Sequence, residues 1–117
     1  MSEYKNVGGS VGFDGAFTID ESDHGAMEGV LWYVLASSRG GPNRARILRA
    51  IDERPRNANK LAEALDLDYT TVRHHLDVLV DNGVVEQAGE GYGAVYVPTD
   101  RARVHWDVVE EILQEVQ

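Results

Sequence analysis

Between Tyr69 and His75 the chain sets Tyr69, Thr70, Thr71, Arg73, His74 and His75 in seven residues, interrupted only by Val72. The forked guanidinium of Arg73 matches two acceptors on one edge, as on guanine O6 and N7, while tyrosine and threonine hydroxyls suit phosphate oxygens or a thymine methyl. His75 directly precedes Leu76 and borders an apolar stripe, so it reads as a packing histidine. Adjacent histidines on a helix point about 100° apart, which keeps His74 and His75 from gripping one metal. A second group, His105 with Asp107, Glu110 and Glu111, offers a single histidine, and the chain has no cysteine. That is a poor donor set for a transition metal. No Ser-His-Asp arrangement or spaced carboxylate pair occurs, so the reading is a non-enzyme with no catalytic residue, metal or cofactor. Gly8, Gly9, Gly12 and Gly15 are not a phosphate loop, because no Gly-Lys-Ser/Thr closes the run.

The charge around that group sets it apart. Across 117 residues there are 20 acidic and 11 basic side chains, for a net charge of -9, and arginine outnumbers lysine nine to two. Residues 39 to 73 alone are net positive, holding Arg39, Arg44, Arg46, Arg49, Arg54, Arg56, Lys60 and Arg73 against five acids. A basic block inside an acidic chain points to a face for an anionic partner, with a solvated helix surface laced by ion pairs as the plain alternative. The acidic, lysine-poor composition resembles that of salt-adapted archaeal proteins, the alternative being an ordinary acidic mesophile protein. The longest apolar run, Val30 to Ala36, is far too short to cross a bilayer, and the start of the chain has no basic-then-apolar leader. A cytoplasmic protein without membrane contact is expected.

The elements that must present these side chains follow from spacing. Residues 1–22 read as an irregular glycine-rich arm, with a short strand near Phe17 to Asp20. Residues 23–117 read as one domain with its core in 43–97. From Asp23 as cap, Met27, Val30, Leu31, Val34 and Leu35 recur at helical spacing up to Gly40-Gly41-Pro42. Asn43 is expected to cap a second helix to about Arg54, with Ile47, Leu48 and Ile51 inward and Arg44, Arg46 and Arg49 outward. A third helix, Ala58 to Leu65 after Asn57, and a fourth, Tyr69 to Asp81 with Val72, Leu76, Leu79 and Val80 as its stripe, are separated by Asp66-Leu67-Asp68. So short a link forces a steep crossing. Asn82-Gly83 ends the fourth helix, and Val84–Gln87 and Ala94–Val97 read as two strands about a glycine-rich tip. A last helix from Thr99 or Asp100 carries Val104, Val108, Ile112 and Val116 at four-residue intervals, with Trp106, Val109 and Leu113 on a neighbouring face.

Helix, helix-turn-helix, hairpin, helix is the layout of a winged helix-turn-helix domain, mainly α with a small β-hairpin wing. The segment 60–79, from Lys60-Leu61-Ala62 through Val72-Arg73-His74-His75-Leu76, followed by Asn82-Gly83-Val84-Val85, resembles the ArsR, MarR and PadR group of transcription regulators. The acidic, cysteine-free chain is similar to haloarchaeal members, including regulators of oxidative stress. The resemblance implies a homodimer on a roughly palindromic duplex, with DNA met by Tyr69, Thr70, Thr71, Arg73, His74, Arg44, Arg46, Arg56, Lys60 and Tyr92. One departure stands out: residues 84–97 hold no base and two acids, Glu86 and Glu90, where such wings usually carry arginine or lysine. Inorganic cations between Glu90 and the phosphates would be one remedy. The apolar excess of segments 23–39 and 99–117 is assigned to a dimer interface of Met27, Val30, Leu31, Val34, Leu35, Trp106, Val108, Val109 and Ile112. The rival functions are a winged-helix protein-interaction module and a metal-responsive sensor of the ArsR kind.

Overall fold

The computed structural model describes residues 21–37, 39–89 and 94–116, with side chains from Gly25 onward. The expected strand at 17–20, most of the glycine-rich arm, and the tip residues Glu90 and Tyr92 lie outside the described residues.

The centre of the fold is two helices, α3 (Ala58–Leu65) and α4 (Tyr69–Asp81). Asn57 caps α3 by accepting from the Lys60 amide at 2.8 Å, satisfying one of the donors a helix start leaves over. Asp66 ends α3 in the left-handed region, at φ 57°, and the Leu67 amide reaches back to the Ala62 carbonyl at 3.0 Å. This closure turns the chain within three residues and half-buries Leu67 at the hinge. Val72, Leu76 and Leu79 of α4 are wholly buried. At its end Gly83 takes φ 74°, a conformation a side chain would strain.

Four elements complete the frame: α1 (Glu21–Trp32), α2 (Gly41–Glu53), α5 (Asp100–Val104) and α6 (Trp106–Val116). Two strands, β1 (Val85–Ala88) and β2 (Val95–Pro98), form an antiparallel hairpin pairing Val85 with Pro98 and Gln87 with Tyr96. Both strands start one residue later than the periodicity predicts. The Arg56 backbone adds an antiparallel bridge to Tyr96, whose amide donates to the Arg56 carbonyl at 2.9 Å. Thr99 ties the wing to α4: its hydroxyl donates to the Gly83 carbonyl at 2.7 Å and accepts from the Ala102 amide at 3.0 Å.

Three expectations are corrected. The first helix begins at Glu21, so Asp23 lies within it, and it ends in a π-helical turn, Tyr33–Ser37. That wider turn keeps the consecutive Val34 and Leu35 both buried. The second helix starts at Gly41 with Gly40 as cap, so Asn43 stands in its first turn; Pro42 is tolerated there because the amide it lacks would have had no partner. The last helix is two. His105, buried and at φ -107°, breaks the run, and its carbonyl accepts from the amides of both Val108 and Val109. The break throws Val104 off the inward stripe, leaving it 57% exposed.

The largest correction concerns the proposed interface. Met27, Leu31, Val34, Leu35, Val108, Val109 and Ile112 are all buried within this single chain, packed with Ile47, Leu48, Ile51 and Leu113. The π-helical turn and α6 pack on α2, and α1 packs on α6, completing one core, so the apolar excess of the terminal segments is consumed internally. Only Val30 and Trp106 of the assigned set are part-exposed.

Candidate nucleic-acid interface

With Val72, Leu76 and Leu79 holding α4 down, its opposite face is polar by geometry. Tyr69, Thr70 and His74 are exposed, and Thr71 and Arg73 half-buried. Arg73 does not stand alone. Its Nη1 donates to the Tyr96 hydroxyl at 2.8 Å, and its Nη2 lies 3.8 Å from the Asp77 carboxylate one turn on. A wing strand therefore aims the arginine of α4, Asp77 holds its other amino group loosely, and the side chain stays 41% exposed to solvent.

A cleft of about 130 Å³ lies between α4, the start of α3 and the wing, lined by Asn57, Asn59, Tyr69, Arg73, Gln87 and Tyr96. Among the described residues its polar side-chain groups are amides, hydroxyls and a guanidinium, the donor and acceptor types that read base edges and phosphates. Of the predicted contacts among the described residues, only Tyr69 and Arg73 meet there. Asn57, Asn59, Gln87 and Tyr96 were missed. The signal lay in the hairpin: period-two alternation sets Gln87 and Tyr96 across from each other on one face. Beside this cleft, Arg54, Arg56 and Lys60 line a broader hollow of about 530 Å³ with Asn57 and Glu63.

Two of the other predicted arginines, Arg44 and Arg46, are tied into the fold. Arg44 is corrected outright: it is 4% exposed, not outward. Its Nε donates to the Val34 carbonyl of the π-helical turn at 2.7 Å and its Nη1 to His75 Nδ1 at 3.1 Å. Burial lowers its pKa, an effect partly offset by Tyr33. Arg46 is exposed but donates to the Leu65 carbonyl at 2.8 Å, capping the end of α3. Arg56 pairs with Glu53 at 2.9 Å and Lys60 with Glu63 at 3.8 Å. Tyr92 lies outside the described residues. Around buried His105 no three histidine, aspartate or glutamate side chains converge among the described residues. Among these residues, no helix is long and apolar enough to cross a membrane.

A family model described as a helix-turn-helix domain matches residues 41–88. Among curated proteins none matches. Among solved structures, this chain is similar to the solution structure of the homodimeric winged helix-turn-helix DNA-binding domain of a Mycobacterium bovis protein, a possible ArsR-family transcriptional regulator. The two are 22% identical with a TM-score of 0.59, over 86% of this chain and 91% of that one. The fold is a winged helix-turn-helix.

Proposed function

We propose that this protein is a DNA-binding transcription regulator that acts as a homodimer on a roughly palindromic duplex site. The observation that carries the reading is the cleft where Arg73, oriented by Tyr96, opens beside Tyr69, Asn57 and Gln87. A helix presenting such a face fits the major groove, and the start of α3 and the wing flank it as backbone contacts. The helix-turn-helix match over residues 41–88 and the DNA-binding domain from M. bovis support the same reading.

The homodimeric state of that domain supports a dimer here. With the assigned interface buried in the core, the surface left for a partner copy includes Val30, Val104 and Trp106. Val104→Glu with Trp106→Ala is expected to convert dimer to monomer in sedimentation at micromolar concentration, with unchanged circular dichroism. A wild-type protein that sediments as a monomer removes both the dimer and the palindrome. Salt adaptation rests on the charge of -9 and the scarcity of lysine. A part in stress response rests on family resemblance alone. The deciding experiment is a mobility shift with fragmented genomic DNA at several salt concentrations: selective retention of a few fragments is expected, and equal retention of all fragments, or of none, overturns the reading.

A further inference from the structure

A third cavity, about 370 Å³, lies apart from the α4–wing cleft, where the chain leaves the π-helical turn and enters α2 against the middle of α4. Arg39, Gly40, Asn43, Arg44, His74 and His75 line it. Each polar side chain there can donate. Arg44 is a cation with no acceptor atom, so His75 Nδ1 must accept its hydrogen bond and the imidazole carries its proton on Nε2. Asn43 Oδ1 accepts from Arg46 Nη1 at 3.2 Å, leaving the amide hydrogens as what Asn43 offers. In a chain of charge -9 the described residues of these walls include no carboxylate.

The cavity is also built. Arg44 is locked by the Val34 carbonyl and His75, so its position is set before any ligand arrives. Gly40 makes this possible: a methyl group at that position would collide with the Arg44 guanidinium and with His75 Cε1. His75 is held below the usual histidine range by burial first, then by the positive charges of Arg44 and His74 beside it.

We propose that this cavity binds a small oxyanion, of the sulfate, phosphate or carboxylate type, with Arg39 and His74 closing on it from the exposed rim. An anion seated there touches α2 and α4 together, so its presence bears on how α4 is carried. The site does not depend on the chain being a DNA-binding protein.

The test uses the whole protein and sodium sulfate, exchanged for sodium chloride at constant ionic strength and followed by NMR. Saturable shifts confined to the amides of Arg39, Gly40 and Asn43 and the rings of His74 and His75 are expected, together with a rise in the His75 pKa. Arg39→Gln, at an exposed position, should weaken sulfate about two- to fivefold with unchanged circular dichroism. Adding a DNA duplex separates two sources of the oxyanion. Competition between duplex and sulfate identifies a backbone phosphate as the occupant, whereas simultaneous binding identifies a free anion. Shifts that fail to saturate, that scatter over the surface, or that persist undiminished in Arg39→Gln overturn the site, whatever the duplex does.

Discussion

Arg73 and His75 sit two residues apart on α4 and show how neighbours divide labour by exposure. Arg73 is aimed by Tyr96, so removing one phenolic oxygen disturbs the arginine without touching its charge. Tyr96→Phe is expected to weaken duplex binding several-fold in a binding isotherm while costing about 1 kcal/mol of stability by denaturant titration, the usual worth of one hydrogen bond. Unchanged affinity would mean that Arg73 needs no orientation. His75 makes a different prediction. Its pKa is lowered in the fold by burial, Arg44 and His74, so the native state binds fewer protons than the unfolded chain. Its contribution is therefore complete above the unfolded value, about 6.5, and is lost as pH falls through the folded one. Thermal melts in chloride should fall on acidification in this window, and His75→Gln, which keeps an acceptor for Arg44 but does not titrate, should flatten that part of the profile.

The turn between α1 and α2 is where one element depends most on the shape of another. Gly41 opens α2 with its Cα against the π-helical turn, and an added methyl would stand 2.8 Å from the Leu35 carbonyl oxygen and 3.1 Å from the Ala36 nitrogen. Those are backbone atoms that cannot swing aside. Gly41→Ala should destabilise by about 1–3 kcal/mol in urea titration, the range for forcing atoms into packed space, although alanine is the better helix former. A stabilised variant would show that the turn is soft. The same argument separates readable elements from unreadable ones. The bounds of α3 and α4 follow from local signals, Asn57 as cap and Asn82-Gly83 as stop, which act within a turn of their own position. The break at His105 has no such marker: no glycine or proline stands there, and the stripe of Val104, Val108, Ile112 and Val116 favours a single helix. Packing of Ala102 and His105 into the core overrides it.

At the scale of the whole molecule, charge governs what association costs. A conventional basic DNA-binding protein loses affinity steeply as salt rises, because salt opposes counterion release. Here the chain carries -9, the described wing strands carry Glu86 and no base, and several central arginines are engaged within the fold. Long-range repulsion from DNA competes with a short-range contact, and salt screens the repulsion. Specific affinity should fall weakly or rise as KCl goes from dilute to molar, with folded fraction improving over the same range. Binding isotherms across a KCl series with circular dichroism check it, and a steep loss by a fully folded protein would mean that the arginines dominate.

Local pattern was enough for α3 and α4, the hinge at Asp66-Leu67-Asp68, the hairpin and the polar face of α4, because capping, turn chemistry and apolar period act between residues a few positions apart. It was not enough to say where the apolar faces go. Periodicity tells that Leu31, Val34 and Ile112 share inward faces, but the area available to cover them depends on α6 packing against α1, the π-helical turn and α2, which is a matter of three-dimensional closure. Arg44 failed for a related reason: its charge argued for solvent, yet its long stem lets the guanidinium reach two acceptors, the Val34 carbonyl and His75, that lie 10 and 31 residues away in the chain. The Arg73–Tyr96 bond spans 23 residues and needs the wing packed against α4 before it exists. Contacts of that length are created by packing, and no window of sequence contains both partners.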